Sequence, residues 1–144
     1  MEPKRHCLSC NGNADIDRLP MRERIAVDEF WRVAHAFDSA LPGWLVLLPR
    51  RHVTTIAGLT DAEAASLGPW QVRLSRALGA VTGCAKTYVA QFAEAEGFAH
   101  VHFHIVPRWN GDHNFMTSVA AVKVIPQALE ELHAELQKAL RTVR

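Results

Sequence analysis

Three histidines stand at every second position in one short stretch of this chain, at His100, His102 and His104. Apolar residues separate and follow them, and this period of two predicts a β-strand over residues 99–108. Alternate side chains of a strand share a face, so we expect the three imidazoles on one side. Imidazole is the usual general acid or base and a common metal ligand. The intervening apolar side chains are expected to face the core: Val101, Phe103 and Ile105.

The alternative interpretation is that the three histidines are ordinary polar residues on the solvated face of a half-buried strand. Such a face more often carries Thr, Lys, Glu and Gln, because β-branched and long polar side chains suit a pleated, half-exposed surface. Three imidazoles at matching positions are therefore better explained by a chemical role than by surface polarity alone.

A second pattern of chemical interest lies near the N-terminus, where two residues separate Cys7 from Cys10. Such a pair can supply two of the four Cys or His ligands of a structural zinc site. No second ligand pair lies nearby in sequence, so a redox motif and a thiol pair without a role remain as alternatives. The redox motif opens a helix, and the Asn11-Gly12 pair that follows argues against a helix here.

Length and composition limit the classes of function. The 144 residues suit one domain with its own core, and a formal net charge of +1 gives no basic excess of the kind that binds nucleic acid. No apolar run reaches the roughly 18 residues of a membrane span, and no signal peptide is visible. Three cysteines favour a reduced, cytoplasmic protein over a disulfide-stapled one. Neither a nucleic acid nor a membrane is expected as a partner.

Four further segments have the composition of strands. The third is the continuous apolar run Trp44–Leu48, which predicts a central strand buried on both faces. A turn at Asp28-Glu29 separates the first two strands. His52 follows the third strand, and an ordinary surface residue at the end of a strand is the alternative interpretation of this histidine. The predicted strands are residues 24–28, 30–36, 44–48 and 87–92.

Two helices complete the predicted elements. Thr60 and Glu63 have the spacing of a capping box and begin a helix over residues 61–81. Pro126 suits the first turn of a C-terminal helix within residues 122–144, whose leucines recur at helical spacing. The order of elements indicates an α+β fold in one domain over residues 1–144, with one antiparallel sheet and two main helices on one side. Residues 1–20 are expected to form an irregular arm.

The histidine stretch resembles the signature of the histidine triad (HIT) family of nucleotide hydrolases and transferases, His-φ-His-φ-His-φ-φ with φ apolar. Residues 100–106 match this signature at every position. The segment from Pro42-Gly43 to His52 is similar to the family's strand and turn, and the Cys7-x-x-Cys10 pair to its zinc-binding branch. The resemblance covers most of residues 7–109. It implies a HIT-like fold with a five-stranded antiparallel sheet, and a homodimer in which two sheets form ten strands.

The resemblance also implies roles for individual residues. His102, the second histidine, would be the nucleophile that attacks the α-phosphorus and forms a nucleotidyl-histidine. His104 would donate a hydrogen bond to the phosphate or the leaving group. In the zinc-binding branch the third ligand follows the Pro-Gly strand and the fourth is the first histidine of the triad. The implied ligands of a structural Zn²⁺ are therefore Cys7, Cys10, His52 and His100.

The substrate contacts match the family less well. The family binds a ribose through Asn or Asp on the strand before Pro-Gly, whereas Ala36 stands near that position here. His35 or Asp38 is expected to substitute for it. Gln91 and the backbone around Gly97 are the candidates for holding the α-phosphate.

The activity implied by the resemblance is that of a nucleotide hydrolase. It would cleave a phosphoanhydride or phosphoramidate at the α-phosphate and release a nucleoside monophosphate. Adenine nucleotides are the favoured substrates, with diadenosine tetraphosphate first and adenosine phosphoramidates next. A nucleotidyl transferase is the alternative within the family, although that branch tends to carry Gln at the position of His104. A nucleotide-binding protein without turnover is the alternative from another class.

Overall fold

A computed structural model of the chain describes residues 6–39, 41–110 and 126–143, with side chains of the last helix described from residue 129. The five strands are β1 (Ala26–Val27), β2 (Trp31–His35), β3 (Leu45–Pro49), β4 (Lys86–Gln91) and β5 (Phe103–Arg108). The α-helices are α1 (Leu8–Ala14), α2 (Asp61–Thr82) and α3 (Pro126–Thr142). The strands form one antiparallel sheet in the order β1-β2-β3-β5-β4. This confirms the α+β class and the five-stranded sheet.

The prediction of an irregular arm around the two N-terminal cysteines is wrong, because α1 begins directly after Cys7. The Sγ of Cys7 caps the helix by accepting the backbone N–H of Cys10 at 3.4 Å. The side chain of Asn13 donates to two carbonyls at the end of β3. A Cβ at Gly12 would lie 3.0 Å from the Arg32 guanidinium, so glycine allows close approach. Tertiary contacts thus offset the poor helix propensity of Asn and Gly.

The strand predicted over residues 99–108 is also shorter than expected, because β5 begins only at Phe103. The preceding backbone leaves the sheet, and the N–H of Val101 donates instead to the carbonyl of Val53 at 2.7 Å. The alternation of side chains continues through this extended segment. Val101, Phe103 and Ile105 are all buried in the core, as the period of two predicts.

The first hairpin and the central strand follow the sequence prediction. The Asp28 carboxylate accepts the backbone N–H groups of Phe30 and Trp31 at 2.9 and 2.8 Å, which closes the turn between β1 and β2. The apolar run at residues 44–48 forms β3 with a shift of one residue, and β3 lies between β2 and β5. Both segments are confirmed, with β1 and β2 shorter than the predicted ranges.

Helix α2 begins at the predicted capping box. Thr60 accepts the backbone N–H of Glu63 at 3.2 Å, and the Glu63 carboxylate accepts that of Thr60 at 2.8 Å. Gly83 ends the helix in the left-handed conformation, with φ of 69°. Pro69 lies inside the helix. One core joins the sheet to α2 and α3, and its fully buried members include Trp31, Leu45, Leu47, Leu74, Leu78, Ile105 and Leu136.

The C-terminal helix forms where the leucine spacing predicts it, with Pro126 as its first residue. Residues 122–125 of the predicted range lie outside the described residues. Leu136 and Leu140 bury one stripe of α3 against α2 and the core. Within the described parts of the chain, no helix has both the length and the apolar character needed to cross a membrane.

Candidate active site and metal centre

The face of the sheet opposite the core helices opens into a cavity of about 440 Å³. Every second side chain of a strand points to the same face, so neighbouring strands supply the floor together. The first turn of α1, the turn after β2 and the loop after β4 form the walls. The residues of the floor include Arg32, Ala34, Val46, Leu48 and His104.

His102 lines this cavity, and one hydrogen bond assigns the tautomer of its ring. Its Nδ1 lies 2.7 Å from the carbonyl oxygen of His100. A carbonyl only accepts hydrogen bonds, so Nδ1 of His102 carries the proton and Nε2 of the neutral ring carries the lone pair. A lone pair on an imidazole nitrogen is the electronic requirement for attack on phosphorus.

His104 lies beside His102 and is held in a different way. The two rings meet edge to face, with centroids 4.8 Å apart. The indole Nε1 of Trp44 donates to Nδ1 of His104 at 3.0 Å. Burial, with a smaller contribution from the charge of His102, lowers the pKa of His104 to about 4. At neutral pH the ring is therefore uncharged.

His100 is not among the residues that line the cavity, although the alternation of side chains predicts its imidazole on the same side as those of His102 and His104. It is fully buried, and its Nδ1 lies 3.5 Å from the Sγ atoms of both Cys7 and Cys10. The reason is the early departure of this backbone from the sheet. Because the chain leaves the ladder before Phe103, its first histidine reaches α1 instead of lining the cavity.

The four residues that the sequence suggests as metal ligands come together in space. Their ligand atoms all lie within 4.8 Å of one another, and Nδ1 of His52 lies 3.1 Å from Sγ of Cys10. Tetrahedral zinc with bonds of about 2.3 Å to sulfur and 2.0 Å to nitrogen separates S from N by roughly 3.5 Å. The two spacings from His100 to the cysteine sulfurs, both 3.5 Å, match this edge length, and the spacing from His52 to Cys10 is shorter by about 0.4 Å. The cluster consists of Cys7, Cys10, His52 and His100.

The protonation state of His100 also fits a metal ligand. Its Nε2 lies 2.7 Å from the carbonyl oxygen of Pro49, so Nε2 carries the proton and the Nδ1 lone pair faces the two thiols. Burial is the main cause that lowers the pKa of His100 to about 4, which favours the neutral, ligating form. Four protein ligands leave no open coordination position, as in structural metal sites.

The four predicted substrate contacts do not converge on the cavity. His35 is among its lining residues, but its ring packs against His133 of α3, with centroids 4.8 Å apart. Gln91 and Gly97 do not line the cavity; Gln91 ends β4, and the carbonyl of Gly97 accepts the first N–H of α1 at 3.2 Å. Asp38 is exposed in the turn after β2, with φ of 51°.

Arg32 is a residue of this site that the sequence prediction missed. Its side chain is 3% exposed. Nε donates to the side chain of Asn13 at 2.7 Å, and a terminal nitrogen donates to the carbonyl of Glu23 at 2.6 Å. Burial lowers the pKa of Arg32, while Glu23 acts in the opposite sense. A charged residue within the strand-forming run at residues 30–36 was the available signal.

Aromatic residues at the rim were also missed. Phe37 and Phe98 both line the cavity and pack against each other, with ring centroids 5.4 Å apart and ring planes tilted by 50°, and Phe37 is 69% exposed. Trp44 was assigned to a buried apolar run, and nothing in that run distinguishes an indole that donates into a site. Exposed aromatic faces beside a cavity suit the stacking of a planar ligand.

Comparison with known protein families identifies the family to which this chain belongs. The model of the HIT domain matches residues 22–111, which is more than half of the chain. The chain belongs to the HIT family. The paired histidines, the sheet and most of the cavity lining therefore lie within the HIT domain, whereas helix α1, which supplies one wall of the cavity, and the two N-terminal cysteines precede the matched residues.

Curated relatives of known sequence are also similar to this chain. The HIT chain is 38% identical over 97 residues to the AP-4-A phosphorylase of Mycobacterium tuberculosis, strains CDC 1551 and H37Rv. The match covers 62% of this chain and 48% of the relative, so the chain spans about half the length of these curated relatives.

Solved structures share the fold. A zinc-bound histidine triad family protein from Mycobacterium smegmatis superposes with a TM-score of 0.75 at 21% identity, over 97% of this chain and 96% of the other. A hypothetical histidine triad nucleotide-binding protein from Sulfolobus tokodaii gives 0.72 at 16% identity, over 92% and 93% of the two chains. At these identities the likeness concerns the fold.

Proposed function

We propose that this HIT protein hydrolyses the α-phosphate linkage of adenine nucleotides through a covalent nucleotidyl-histidine. The observation that carries the proposal is the pair of histidines in the cavity. His102 presents an Nε2 lone pair because its Nδ1 proton is bound to the carbonyl of His100 at 2.7 Å, and His104 lies directly beside it. A nucleophile next to a neutral hydrogen-bond donor suits an attack on phosphorus that places charge on the phosphoryl oxygens.

The reaction would proceed in two displacements. In the first, Nε2 of His102 bonds to the α-phosphorus, the bond to the bridging oxygen breaks, and the electron pair leaves with the departing nucleotide. The carbonyl of His100 holds the Nδ1 proton of the imidazolium that results. In the second, water attacks the same phosphorus, the P–N bond breaks, and the mononucleotide and a proton are released.

Four residues would hold a structural Zn²⁺, namely Cys7, Cys10, His52 and His100. When bound, this ion supplies no step of the reaction; it links helix α1 to the residue two positions before the nucleophile. The carbonyl that orients His102 belongs to His100 itself. We therefore propose that residues 1–20 serve as a metal-binding arm that holds the nucleophile in position.

A dinucleoside polyphosphate with adenine bases is the substrate that we favour. The similarity to the AP-4-A phosphorylase supports an adenine dinucleotide, and the aromatic rim of the cavity supports a planar base. The cavity of about 440 Å³ has the size of a site for one nucleotide unit. The second nucleotide would extend from the mouth towards solvent. Adenosine phosphoramidates are the second substrate class.

Phosphorolysis is the second candidate function, since the curated relative is a phosphorylase. The first displacement would be the same. Inorganic phosphate would then attack the nucleotidyl-His102 in place of water, so the P–N bond would break and a nucleoside diphosphate would leave. This is the transferase alternative with phosphate as acceptor.

Product analysis distinguishes these functions. The purified protein is incubated with diadenosine tetraphosphate, with and without inorganic phosphate, and the nucleotides are separated. Hydrolysis yields AMP and ATP, whereas phosphorolysis yields ADP and ATP and depends on phosphate. We expect AMP, and a loss of turnover on the order of 10³-fold or more in His102→Ala. Unchanged turnover in this variant, with its zinc content and thermal unfolding intact, would contradict the covalent mechanism.

A nucleotide-binding role without turnover is the remaining outcome. Tight binding of AMP or ATP by calorimetry, with no product from any dinucleotide or phosphoramidate, would support it. The intact nucleophile geometry of His102 argues for turnover, because a pure binding site has no need of an exposed imidazole lone pair.

We also propose that two copies associate through the edge of the sheet at β4. This strand pairs with β5 on one side only among the described residues; Val89 within it and Phe92 directly after it are 49% and 63% exposed. A paired edge would join two sheets into ten strands. Light scattering after size exclusion tests this: a monomer at micromolar concentration would contradict it.

A reducing compartment such as the cytoplasm suits the proposed metal site. None of the three cysteines of the chain forms a disulfide. Thiolates bind zinc only when they are not oxidised to a disulfide, and reducing compartments maintain that state.

A further inference from the structure

Trp44 and His104 form a hydrogen bond that determines where the proton of His104 resides. Trp44 directly precedes β3, and His104 lies in the neighbouring strand β5, so the sheet places the two side chains together on the cavity face. The indole Nε1 lies 3.0 Å from Nδ1 of His104, and the rings meet edge to face at 5.5 Å. The indole nitrogen is a donor only. Nδ1 of His104 is therefore the acceptor, and the proton of the neutral ring is on Nε2.

The adjacent histidine has the opposite tautomer. His102 donates from Nδ1 to a backbone carbonyl, which leaves a lone pair on its Nε2. The two rings, 4.8 Å apart, thus offer the cavity one nucleophilic nitrogen and one N–H donor. Within the described residues no protein group accepts from Nε2 of His104, so that N–H is available to a ligand.

We propose that Trp44 is a positioning residue that holds His104 as a neutral Nε2–H donor, and that this restricts efficient turnover to substrates whose leaving group departs as an anion. The proposal rests on the hydrolytic function proposed above and specifies its substrate class. It assigns His104 the role of stabilising charge on the phosphoryl oxygens without transferring a proton.

The reason lies in what a protonated His104 would require. An imidazolium carries a proton on both nitrogens, so its Nδ1–H would face the indole N–H of Trp44 at the present 3.0 Å. Two donors that face each other repel, and burial of the ring opposes the charge as well. His102 is the titratable group in contact with this ring, and its positive charge during attack opposes protonation of His104 further.

The consequence for substrates follows from the leaving groups. In a phosphoanhydride, the bond between the α-phosphorus and the bridging oxygen breaks, and the polyphosphate leaves with the electron pair without needing a proton. In a phosphoramidate, the P–N bond breaks, and the amine leaves only after its nitrogen gains a proton. A His104 that Trp44 keeps neutral does not supply that proton, so we expect dinucleoside polyphosphates to be strongly preferred.

The tautomer is measured directly on the wild-type protein by long-range ¹H–¹⁵N NMR of the histidine rings, with His104 assigned by its absence in His104→Gln. We expect the Nε2–H pattern for His104 in the wild type and its loss in Trp44→Phe, which retains an aromatic ring and removes the donor. Trp109→Phe is the matched control, because that indole donates to the carbonyl of Thr82 at the end of α2. An Nδ1–H pattern for His104 in the wild type would overturn the proposal.

Kinetics test the substrate preference. We expect kcat/KM for diadenosine tetraphosphate to exceed that for an adenosine phosphoramidate by about 100-fold or more, the usual size of a missing general-acid contribution. Trp44→Phe should reduce this ratio by about tenfold, whereas Trp109→Phe should leave it unchanged. Equal turnover of both substrates by the wild type would overturn the proposal. A folded, zinc-loaded protein that turns over neither would contradict the proposed function and the preference together, while the tautomer result would stand by itself.

Discussion

The Nε2–H of His100 donates to the carbonyl oxygen of Pro49 at 2.7 Å, which turns the other ring nitrogen of His100 towards two cysteine thiols. A single hydrogen bond thereby selects the tautomer that a metal needs. The same histidine offers its own carbonyl to Nδ1 of His102. The proposed metal site and the proposed nucleophile are consequently joined through one residue.

Loss of a cysteine from the cluster should remove the metal. We expect purified wild type to contain about one zinc per chain, and Cys10→Ser to lose most of it. The midpoint temperature of thermal unfolding of this variant should be lower by at least ~5 °C, because structural zinc stabilises small domains by several kcal/mol. Elemental analysis and thermal unfolding measure both effects. Cys84→Ser, a free cysteine outside the cluster, is the control; a Cys10→Ser protein with full zinc content would refute the site.

The side chain of Asn13 should contribute to the free energy of unfolding through three hydrogen bonds that join α1 to the sheet. Its side chain accepts from the buried Nε of Arg32 at 2.7 Å and donates to carbonyls at the end of β3 at 3.2 and 3.1 Å. Asn13→Ala leaves the guanidinium of Arg32 without this acceptor, so we expect a loss of about 1–3 kcal/mol in urea unfolding. Asn11→Ala on the same helix, at an exposed position, should change stability by less than about 0.5 kcal/mol. Equal effects of the two variants would show that the network does not stabilise α1.

His133 and His35 should make stability depend on pH. Both are buried and packed together, and burial is the largest cause that lowers both pKa values, that of His133 to about 4. The unfolded chain therefore binds more protons than the folded one between about pH 4 and 6.5, so stability is full above that window and falls as the pH decreases through it. Urea unfolding across this range should show the decline.

His133→Leu should reduce that decline and raise stability at neutral pH. Neither ring nitrogen of His133 has a hydrogen-bond partner among the described residues, so the imidazole is buried without compensation. His133→Gln is the matched variant, because it removes the titration but retains buried polar atoms. If the free energy of unfolding of both variants depended on pH as it does in the wild type, the decline would not be due to His133.

Gly43 should tolerate no side chain, although it lies in a turn. Its φ is 77°, and a Cβ there would lie 2.8 Å from a methyl group of Leu78. Gly43→Ala is expected to cost about 1–3 kcal/mol, through backbone strain and displacement of the core. Gly79→Ala is the control within α2, where the space is open, and should stabilise by about 0.5–1 kcal/mol. Unfolding in urea measures the change in the free energy of unfolding for both variants. A Gly43→Ala protein as stable as the wild type would contradict the predicted backbone strain.

Much of the framework was predictable from local sequence. The apolar run at residues 44–48 and the alternation of Val101, Phe103 and Ile105 identify the central strand and the buried face of the histidine stretch. The capping box at Thr60 and Glu63 predicts the start of α2. These features depend on the periodicity of side chains and on contacts between close neighbours along the chain, so a single sequence contains them.

Contacts between residues that lie far apart in the sequence became known only from the tertiary structure. The helix at Leu8–Ala14 runs against local propensity and forms because Arg32 and the end of β3 bind it. The expected substrate contact His35 turns its ring to α3, while Arg32 and Trp44 enter the cavity.

The metal cluster combines both kinds of information. The residue types of Cys7, Cys10, His52 and His100 were identified from the resemblance to the family, but their proximity depends on where the backbone leaves the sheet. Periodicity predicts which face a side chain takes along a regular strand; it does not predict where the strand begins. His100 therefore lies before the start of β5 at Phe103 and outside the cavity that His102 and His104 line, and the sequence does not predict this because pairing between strands is a long-range property of the fold.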